Sequence, residues 1–529
     1  MNCFVKIMAT ILAFMMLLCV LASCNMIPEA GGESDTLTET EDVSESVDGG
    51  SSEEVSDALT AWETDEDGFI KDSHDGVDLN KRVIRILCGN SFEEEGTVKG
   101  SAEFHTDSGN IGTPVKLAIF TRNMTVEKRL NCKLQWIDLA CEYANYGEFA
   151  ARAAELSGAN EIDLIGAYSL TSSSMMVQGL LADLNTSETI ELEKPWWNKE
   201  MIDSCTIQNR MYFCSGDISY GVVGGSYVFL TNKKIMEDSG VNSYIKESYG
   251  YESIYELVRD KKWTLDVMID LSKIVSVDEN KIKDKGDIFG YASYAVGTDA
   301  FYIGSGLRLL ETKADGSIAI SEDMSSDKAN RLASKITTFL STPTAVATDT
   351  AGQGAANGLP EHAWNGGEAM FLNHFMSYLN KDTSFEKGVV PVPMYDEDQE
   401  DYRTTCTFGA AMWSVVRGAA EYEDLCTVLD TIASESYRKV TPAYFDTVLA
   451  GRQNTKDDYD MLYMIRDSIV IDGGRVMTDP FNEETIKLWR RAMRGEKEYL
   501  TLYEAIEVTL AQQAAALNTL MATLEDLYG

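Results

Sequence analysis

The sequence predicts an α/β fold, because strand-like and helix-like segments alternate from residue 83 onward. The apolar stretches 83–90 ("VIRILCGN") and 162–167 ("IDLIGA") are typical of buried strands, and 133–137 ("KLQWI") alternates as a strand does. Thr113 and Pro114 supply the N-cap and the first-turn residue of a helix between the first two strands. A second helix-like segment precedes the third strand. This β-α-β-α-β order predicts one half of a doubly wound parallel sheet.

The rest of the folded part continues the alternation. Residues 226–241 read as strand, turn and helix, and Asp315-Gly316 centres a hairpin. "GGEAMFL" and "KGVVPVPM" are predicted to be a strand pair joined by a helical segment. The carboxyl end, from Glu483 to Leu527, is predicted to be nearly continuous helix.

The amino terminus has the pattern of an export signal. Lys6 precedes an unbroken apolar run over residues 7–20, which is shorter than the roughly 20 apolar residues of a membrane-spanning helix. The following "LASC" resembles the lipobox of bacterial lipoproteins, which implies cleavage of residues 1–23 and a diacylglycerol thioether on Cys24. An ordinary signal peptide, or an uncleaved anchor with an incidental cysteine, is the alternative.

An acidic stretch follows that cysteine. Residues 25–70 contain no Lys or Arg but fifteen Asp and Glu residues among Ser, Thr and Gly. Such a segment has too little apolar surface to offset its ordering entropy. We therefore expect residues 24–78 to form a lipidated, disordered tether that holds the folded body on the extracellular face of the cell membrane.

Composition limits the possible partners. With 529 residues and 44% hydrophobic residues, the chain can build two or three domains' worth of core. The formal net charge of −40 disfavours nucleic acid and anionic lipid as partners.

Cysteine spacing indicates no metal site. Seven cysteines follow Cys24, and none forms a CxxC pair. Cys205 and Cys214 flank a hairpin-like stretch; they lie opposite each other only if the turn centres on Asn209-Arg210, and they miss if it centres on Gln208-Asn209. The sequence leaves that disulfide open.

Enzyme and cofactor signatures are lacking in the sequence. There is no HExxH and no GxSxG, and histidines number only four. "GQGAANG" (352–358) lacks the GxGxxG spacing, and "YDEDQED" (395–401) lacks the ligand pattern of a calcium loop. We expect no catalytic residues, metal or cofactor.

The order of six motifs over roughly residues 80–529 resembles the sugar-type extracellular solute-binding proteins of bacterial ABC importers, including the maltose-binding group. The stretches that carry the resemblance are "NEIDLIGAYSLTSSSMMVQGLLADL", "TIQNRMYFCSGD", "YVFLTNKKIMEDSGV", "KWTLDVMIDLS", "WNGGEAMFL" and "KGVVPVPMYDEDQEDYR". The resemblance implies a periplasmic-binding-protein-like fold of two α/β lobes joined by a multi-crossing hinge. It places the first crossing near residues 221–225 and the return near 391–395.

The corresponding lobes are an N-terminal lobe of residues 79–221 plus 393–445 and a C-terminal lobe of 222–392 plus 446–529. Gly224 and Gly225 have the backbone freedom that a hinge can use. Ligands of open α/β sheets bind beyond the carboxyl ends of the strands. The candidate ligand-binding residues at such cleft-facing positions are Asn90, Tyr168, Ser169, Asp217, Tyr220, His374 and Phe375, the last two placed by the resemblance. Each has a plainer interpretation as a cap, a turn or a packing residue.

The resemblance therefore implies a lipid-anchored, monomeric substrate-binding protein that captures a carbohydrate, an oligosaccharide, and delivers it to ABC transporter permease subunits. A binding protein for a peptide or another non-sugar solute is the first alternative. A surface carbohydrate-active enzyme is the second, and it would need two carboxylates about 5 to 10 Å apart across a cleft.

Overall fold

The computed structural model describes residues 62–90, 103–275, 283–348, 358–407, 409–449, 455–477, 484–493 and 502–529. Trp62–Gly529 forms one compact unit. The predicted signal segment, Cys24 and residues 25–61 of the predicted tether lie outside the described residues, as does most of "GQGAANG". No helix in the described ranges combines the length and the apolar character needed to cross a membrane.

Thirteen strands are present in the described ranges. They are β1 Arg82–Asn90, β2 Cys132–Ala140, β3 Leu164–Tyr168, β4 Tyr227–Asn232, β5 Phe289–Tyr294, β6 Leu310–Thr312, β7 Ile318–Ile320, β8 Ala345–Thr348, β9 Ala369–Phe375, β10 Lys387–Val390, β11 Thr404–Thr405, β12 Ala411–Val415 and β13 Ile469–Val470.

The same ranges contain eighteen α-helices, with short 3-10 turns and one π-helical turn, Ser436–Val440, between them. The helices are α1 Pro114–Arg129, α2 Tyr146–Gly158, α3 Ser169–Val177, α4 Lys199–Cys205, α5 Tyr220–Gly224, α6 Lys233–Asp238, α7 Val241–Tyr249, α8 Ile254–Arg259, α9 Leu265–Val275, α10 Asp299–Gly304, α11 Asp327–Leu340, α12 Leu359–Gly366, α13 Tyr422–Glu435, α14 Thr441–Leu449, α15 Lys456–Asp467, α16 Gly473–Val476, α17 Glu484–Met493 and α18 Leu502–Tyr528.

The first sheet has the strand order β12-β3-β1-β2. Strand β1 is parallel to both β2 and β3, and β12 is antiparallel to β3. The hydroxyl of Thr113 accepts a hydrogen bond from the Lys116 amide at 3.3 Å, so the predicted N-cap of α1 is present. The predicted β-α-β-α-β unit and the α/β class are confirmed, because α1 connects the parallel neighbours β1 and β2, and α2 connects β2 to β3 on the other side of β1.

The second sheet has the order β10-β4-β9-β5-β8. Strand β5 is parallel to β8 and β9, so the carboxyl ends of these three strands share one edge. The segments predicted to pair with each other, β9 and β10, instead lie on the two sides of β4 and are each antiparallel to it. The pairing prediction was wrong because β4, from an earlier part of the chain, takes the central place.

The structure shows whether Cys205 and Cys214 lie opposite each other in the hairpin. Ile207 pairs with Arg210, and the two residues between them have positive φ angles of 52° and 62°. The turn thus centres on Gln208-Asn209, the register in which Cys205 and Cys214 miss each other. All seven described thiols are buried and free.

The described structure begins within the segment predicted to be a disordered tether, and residues 62–78 pack against the folded body. Asp72 is 6% exposed and accepts hydrogen bonds from Arg129 at 2.6 and 2.9 Å. Burial opposes the charge of Asp72, but the hydrogen bonds from Arg129 and Ser434 lower its pKa to about 2. His74, 3% exposed, contacts Asp430 of α13 at 2.8 Å. Charge pairs together with apolar contacts, such as that of Phe69 with Tyr437, order this part, and composition alone does not reveal these distant partners.

Two backbones cross between the sheets side by side. Ser226, just before β4, forms a bridge with Cys406, and the Thr407 amide donates to the Gly225 carbonyl at 2.9 Å. Residues 391–395, where the return was predicted, still lie with the second sheet's elements, since Met394 exchanges backbone hydrogen bonds with Trp263 and Leu265. The chain returns to the first sheet at Cys406 and Thr407, later than the sequence indicated.

Gly225 at this crossing cannot hold a side chain. A Cβ on Gly225 would overlap the Thr407 methyl group and lie 2.8 Å from the Gly221 carbonyl oxygen. We expect Gly225→Ala to lower the free energy of unfolding in urea by roughly 2 kcal/mol through overpacking. The matched control is Gly147→Ala in α2, where a Cβ meets nothing within 4 Å, and which should be neutral or slightly stabilising. Equal stabilities for the two variants would contradict the tight crossing.

The His74 contact makes stability depend on pH in a defined direction. Burial opposes the charge on His74, but the hydrogen bond and charge of Asp430 outweigh it, so the pKa of His74 is raised. A raised folded pKa stabilises the protein fully below the unfolded value of about 6.5, and this contribution is lost as the pH rises through the folded value.

We therefore expect His74→Gln to lose about 2 kcal/mol of unfolding free energy near pH 6 and to lose less as the pH rises. Urea unfolding of the wild type and the variant across this range measures the difference. His362→Gln, at an exposed position, serves as the control. A constant difference at every pH would show that folding does not raise the pKa of His74.

Candidate functional site

The candidate residues on the first sheet lie beside the crossing. Tyr168 ends β3, pairs with Ala411 at the start of β12, and is half-buried. Ser169 begins α3 and is 1% exposed. It lines, with the crossing residues Thr405, Cys406 and Thr407 among others, a cavity of about 10 Å³, which is the volume that one water needs.

Asn90 lies at the end of the neighbouring strand. It pairs with Ala140 at the ends of β1 and β2. Parallel pairing puts this end at the same sheet edge as Tyr168, because β3 also runs parallel to β1. The structure thus brings Asn90, Tyr168 and Ser169 to one edge, as the sequence predicted from strand direction.

The candidate residues on the second sheet lie on the other side of the crossing. His374 and Phe375 end β9, where Phe375 pairs with Tyr227, and the Met376 amide donates to the Ser226 carbonyl at 2.9 Å. The Nδ1 atom of His374 accepts a hydrogen bond from the Phe375 amide at 2.7 Å. We infer that Nε2 carries the hydrogen of the neutral ring and is a donor.

Burial, followed by the charge of Lys381, lowers the pKa of His374 to about 4. The ring of His374 lies 3.6 Å from the ring centroid of Tyr378, and that of Tyr294 lies 5.8 Å away. The edge of the second sheet therefore presents aromatic faces together with a neutral imidazole donor.

A carboxylate that the sequence analysis missed organises this aromatic edge. Glu361 of α12 accepts hydrogen bonds from the hydroxyls of Tyr294 and Tyr378, each at 3.0 Å, and from Lys381 at 2.9 Å. The hydrogen bond from Lys381, with those of the two tyrosines, lowers the pKa of Glu361. Its position in a helix with no recognisable motif gave no sequence signal.

Asp217 is already paired within the protein. It is 4% exposed, forms an ion pair with Arg466 and accepts from the Thr441 hydroxyl at 2.6 Å. It lines a cavity of about 210 Å³ together with Trp196 and Trp197. Asp217 therefore lies in the wall of this cavity, and its carboxylate has its charge partner there.

Tyr220 begins α5, the helix that enters the crossing, and is 6% exposed. Its ring stacks on Tyr444 of α14 with centroids 5.1 Å apart. Helix α14 also contacts the 3-10 turn Met376–Asn380 that follows His374 and Phe375. Tyr220 thus lies between the two groups of candidate residues, and Tyr444 joins it without having been predicted.

Buried pairs surround this region and fix its walls. Asp299, the first residue of α10, is fully buried and accepts hydrogen bonds from Arg475 at 2.7 Å and from Arg490 at 2.9 Å. Arg475 also donates to the Cys406 carbonyl at 3.2 Å. The charged side chains of Asp299, Arg475 and Arg490 are therefore paired with one another within the protein.

Sequence comparisons found no match for this chain. No protein-family model matches it, and no curated protein matches it. Solved structures do match. The chain is similar to the cyclic alpha-maltosyl-1,6-maltose binding protein from Arthrobacter globiformis, with 14% identity, a TM-score of 0.51, and coverage of 84% of this chain and 100% of that one.

A second similar structure is an ABC substrate-binding protein from Listeria monocytogenes in complex with cycloalternan, at 14% identity and a TM-score of 0.48, covering 84% of this chain and 100% of that one. The cyclic alpha-maltosyl-1,6-maltose binding protein shares its type of fold with this chain. The chain has an α/β fold of the periplasmic-binding-protein type, similar to that of a maltose-type sugar-binding protein.

Proposed function

We propose that this chain is the substrate-binding component of an ABC importer and captures a carbohydrate, an oligosaccharide, between two lobes. One observation carries the proposal: the carboxyl-end edges of both sheets, with their polar and aromatic residues, lie on the two sides of a single crossing. The fold shared with a sugar-binding protein supports it.

The chemistry of the second sheet's edge suits an uncharged polyhydroxylated ligand. An aromatic face such as that of Tyr294 packs against the C–H face of a sugar, and planar polar groups bind its hydroxyls. His374 supplies a neutral donor, and the charge of Glu361 is offset by Lys381. A charged ligand such as a peptide would need an uncommitted opposite charge, so this local neutrality favours a sugar over the non-sugar alternative.

Catalysis is the less favoured alternative. Hydrolysis of a glycosidic bond needs one carboxyl group free to donate a proton and a second to act as base or nucleophile. Asp217 is paired with Arg466 and Glu361 with Lys381. Both carboxylates are thus already paired with cations of the protein, which suits binding better than proton transfer.

The proposed lobes are an N-terminal one around the first sheet, residues 79–221 and 393–445, and a C-terminal one around the second, residues 222–392 and 446–529. The pairing of Ser226 with Cys406 supports a return boundary later than 393. Closing the lobes would remove water from the ligand and strengthen its hydrogen bonds, and permease subunits would bind the closed form. We propose that the protein acts as a monomer.

Sugar binding is tested by thermal shift and calorimetry with neutral oligosaccharides such as maltotriose. We expect stabilisation without turnover, and a constant affinity between about pH 5.5 and 8, because His374, with a pKa of about 4, stays neutral there. His374→Phe keeps an aromatic ring but removes the Nε2 donor, and should weaken binding about tenfold.

The matched control is His105→Phe, another histidine that stacks on an aromatic ring, Trp136, in the first-sheet part. It should bind as the wild type does. Release of shorter sugars from the ligand, or no stabilisation by any small solute, would count against the proposal.

Lipid anchoring through Cys24 is tested separately. We expect the wild type to fractionate with membranes of its bacterial host and Cys24→Ser to appear in the soluble fraction, because one thioether-linked diacylglycerol supplies two acyl chains. Mass spectrometry of the mature amino terminus checks the modification directly. An unmodified Cys24 on a membrane-associated protein would exclude this anchor.

A further inference from the structure

Two buried tyrosine hydroxyls at the crossing lack hydrogen-bond partners. Tyr220 and Tyr444 are 6% and 4% exposed, and neither hydroxyl has a partner in the part of the chain that the structure describes. Buried polar atoms in native proteins nearly always have a partner, so each exception requires an explanation. Two exceptions on stacked rings indicate a common missing partner.

A third polar group, Glu103, lies in the same cluster. Its carboxylate accepts from the Gly221 amide at 3.3 Å, and a Cβ on Gly221 would lie 2.7 Å from it. Burial raises the pKa of Glu103 in spite of hydrogen bonds from Ser219 and Gly221. Burial, followed by the charge of Glu103, raises the pKa of Tyr220 and of Tyr444. The cluster thus combines two hydroxyls with one carboxyl group.

Arg122 balances the charge of this cluster. It is fully buried and donates to three uncharged acceptors: the Phe104 carbonyl at 2.6 Å, the Ser436 hydroxyl at 3.1 Å and the Asn123 side chain at 2.9 Å. The charge of Glu103 therefore already has a counter-charge nearby. An ammonium ligand, which would otherwise favour a carboxylate between aromatic rings, is disfavoured by Arg122.

The position of the cluster connects it to both sheets. Tyr220 is on the helix that enters the crossing, whereas Tyr444 is on α14, which packs on α1 and contacts the 3-10 turn after β9. Gly224 lets the Tyr444 ring approach, since a Cβ there would lie 2.6 Å from the Tyr444 hydroxyl oxygen. A shift of α14 relative to α5 would therefore separate the Tyr444 ring from Tyr220 and Gly224 and change the surroundings of both hydroxyls.

We propose that Tyr220, Tyr444 and Glu103 form a subsite that binds adjacent hydroxyl groups of an uncharged ligand. The inference rests on the proposed function and extends it to two residues, Glu103 and Tyr444, from separate parts of the chain. Each tyrosine hydroxyl both donates and accepts, and Glu103 accepts, which matches a vicinal diol of a sugar. The ligand supplies the partners that the free protein lacks.

The test uses Tyr220→Phe and Tyr444→Phe in the full-length protein, with maltotriose, cellotriose and raffinose as probes and glucosamine as the charged comparison. Removing an unpaired buried hydroxyl relieves its desolvation cost, so each variant should melt about 2 °C higher than the wild type without sugar. Each should bind the sugar that the wild type binds about tenfold more weakly. This pairing of higher stability with weaker binding is what a purely structural role would not produce.

The matched control is Tyr302→Phe, because the Tyr302 hydroxyl is satisfied by the Arg308 carbonyl at 3.1 Å. This variant should melt lower and bind normally. A lower melting temperature for Tyr220→Phe or Tyr444→Phe would show that the hydroxyls have partners in the free protein, such as an ordered water, and would overturn the subsite.

Sugar binding by the wild type with unchanged affinity in both variants would overturn the subsite and leave the proposed function intact. No binding of any neutral trisaccharide by the wild type would overturn the proposed function and the subsite with it. A preference for glucosamine would overturn the assignment to an uncharged ligand.

Discussion

The backbone crossing between the two sheets is the constraint on which the candidate site depends. Gly225 and Thr407 are in direct hydrogen-bond contact, with a methyl group in the place of any Gly225 side chain. From this contact one backbone continues through Ser226 into β4, and the other continues from Thr407 toward β12. The Ser226 carbonyl also accepts a hydrogen bond from the Met376 amide. Tyr168 pairs with Ala411, just after Thr407, and Phe375 pairs with Tyr227, just after Gly225, so candidate residues from both sheets are held beside this contact. Small backbone changes at the crossing would therefore alter the distance and angle between the carboxyl-end edges of the two sheets.

Buried ion pairs brace that crossing from the carboxyl-terminal part of the chain. Asp299 holds Arg475 and Arg490, and Arg475 reaches the Cys406 carbonyl. Removing one member of such a group leaves an uncompensated buried charge, which typically costs about 3 to 5 kcal/mol. Helix α18 adds a second link, since its Tyr528 donates to the Met176 carbonyl of α3 at 3.2 Å, while the helix also contacts α11, which packs on β8 of the second sheet. The carboxyl terminus therefore ties the elements of both sheets together.

The sequence predicted the elements that depend on local patterns. Strands β1 to β3, the Thr113 cap and the hairpin between β6 and β7 follow from apolar periodicity and turn chemistry over a few residues. It mispredicted what depends on distant partners. The place of β4 between β9 and β10, the later return at Cys406 and the ordered residues 62–78 are all set by contacts with parts of the chain that are distant in sequence.

Some residues of the candidate site could likewise be predicted from local sequence patterns, and others could not. Tyr168, Ser169 and His374 follow from strand direction or from the family resemblance, and the structure brings them to the edges that flank the crossing. Glu361, Glu103 and Tyr444 carry no local motif, because their importance comes only from what the fold places beside them. Asp217 has the residue type of a ligand contact but is paired with Arg466. Residue type alone therefore does not show whether a polar side chain can bind a ligand or is already paired within the protein.

Charge pairing near the crossing has a consequence for selectivity. Asp217, Glu361 and Asp299 are each matched by a cation of the protein itself, so recognition at the sheet edges falls to neutral donors and aromatic faces. Individual neutral hydrogen bonds contribute only about 1 kcal/mol each, and one apolar group more or less discriminates weakly. A ligand must then be large enough to engage several such groups at once. An oligosaccharide, with repeated hydroxyls and apolar C–H faces, meets that requirement better than a small ion or a single charged amino acid.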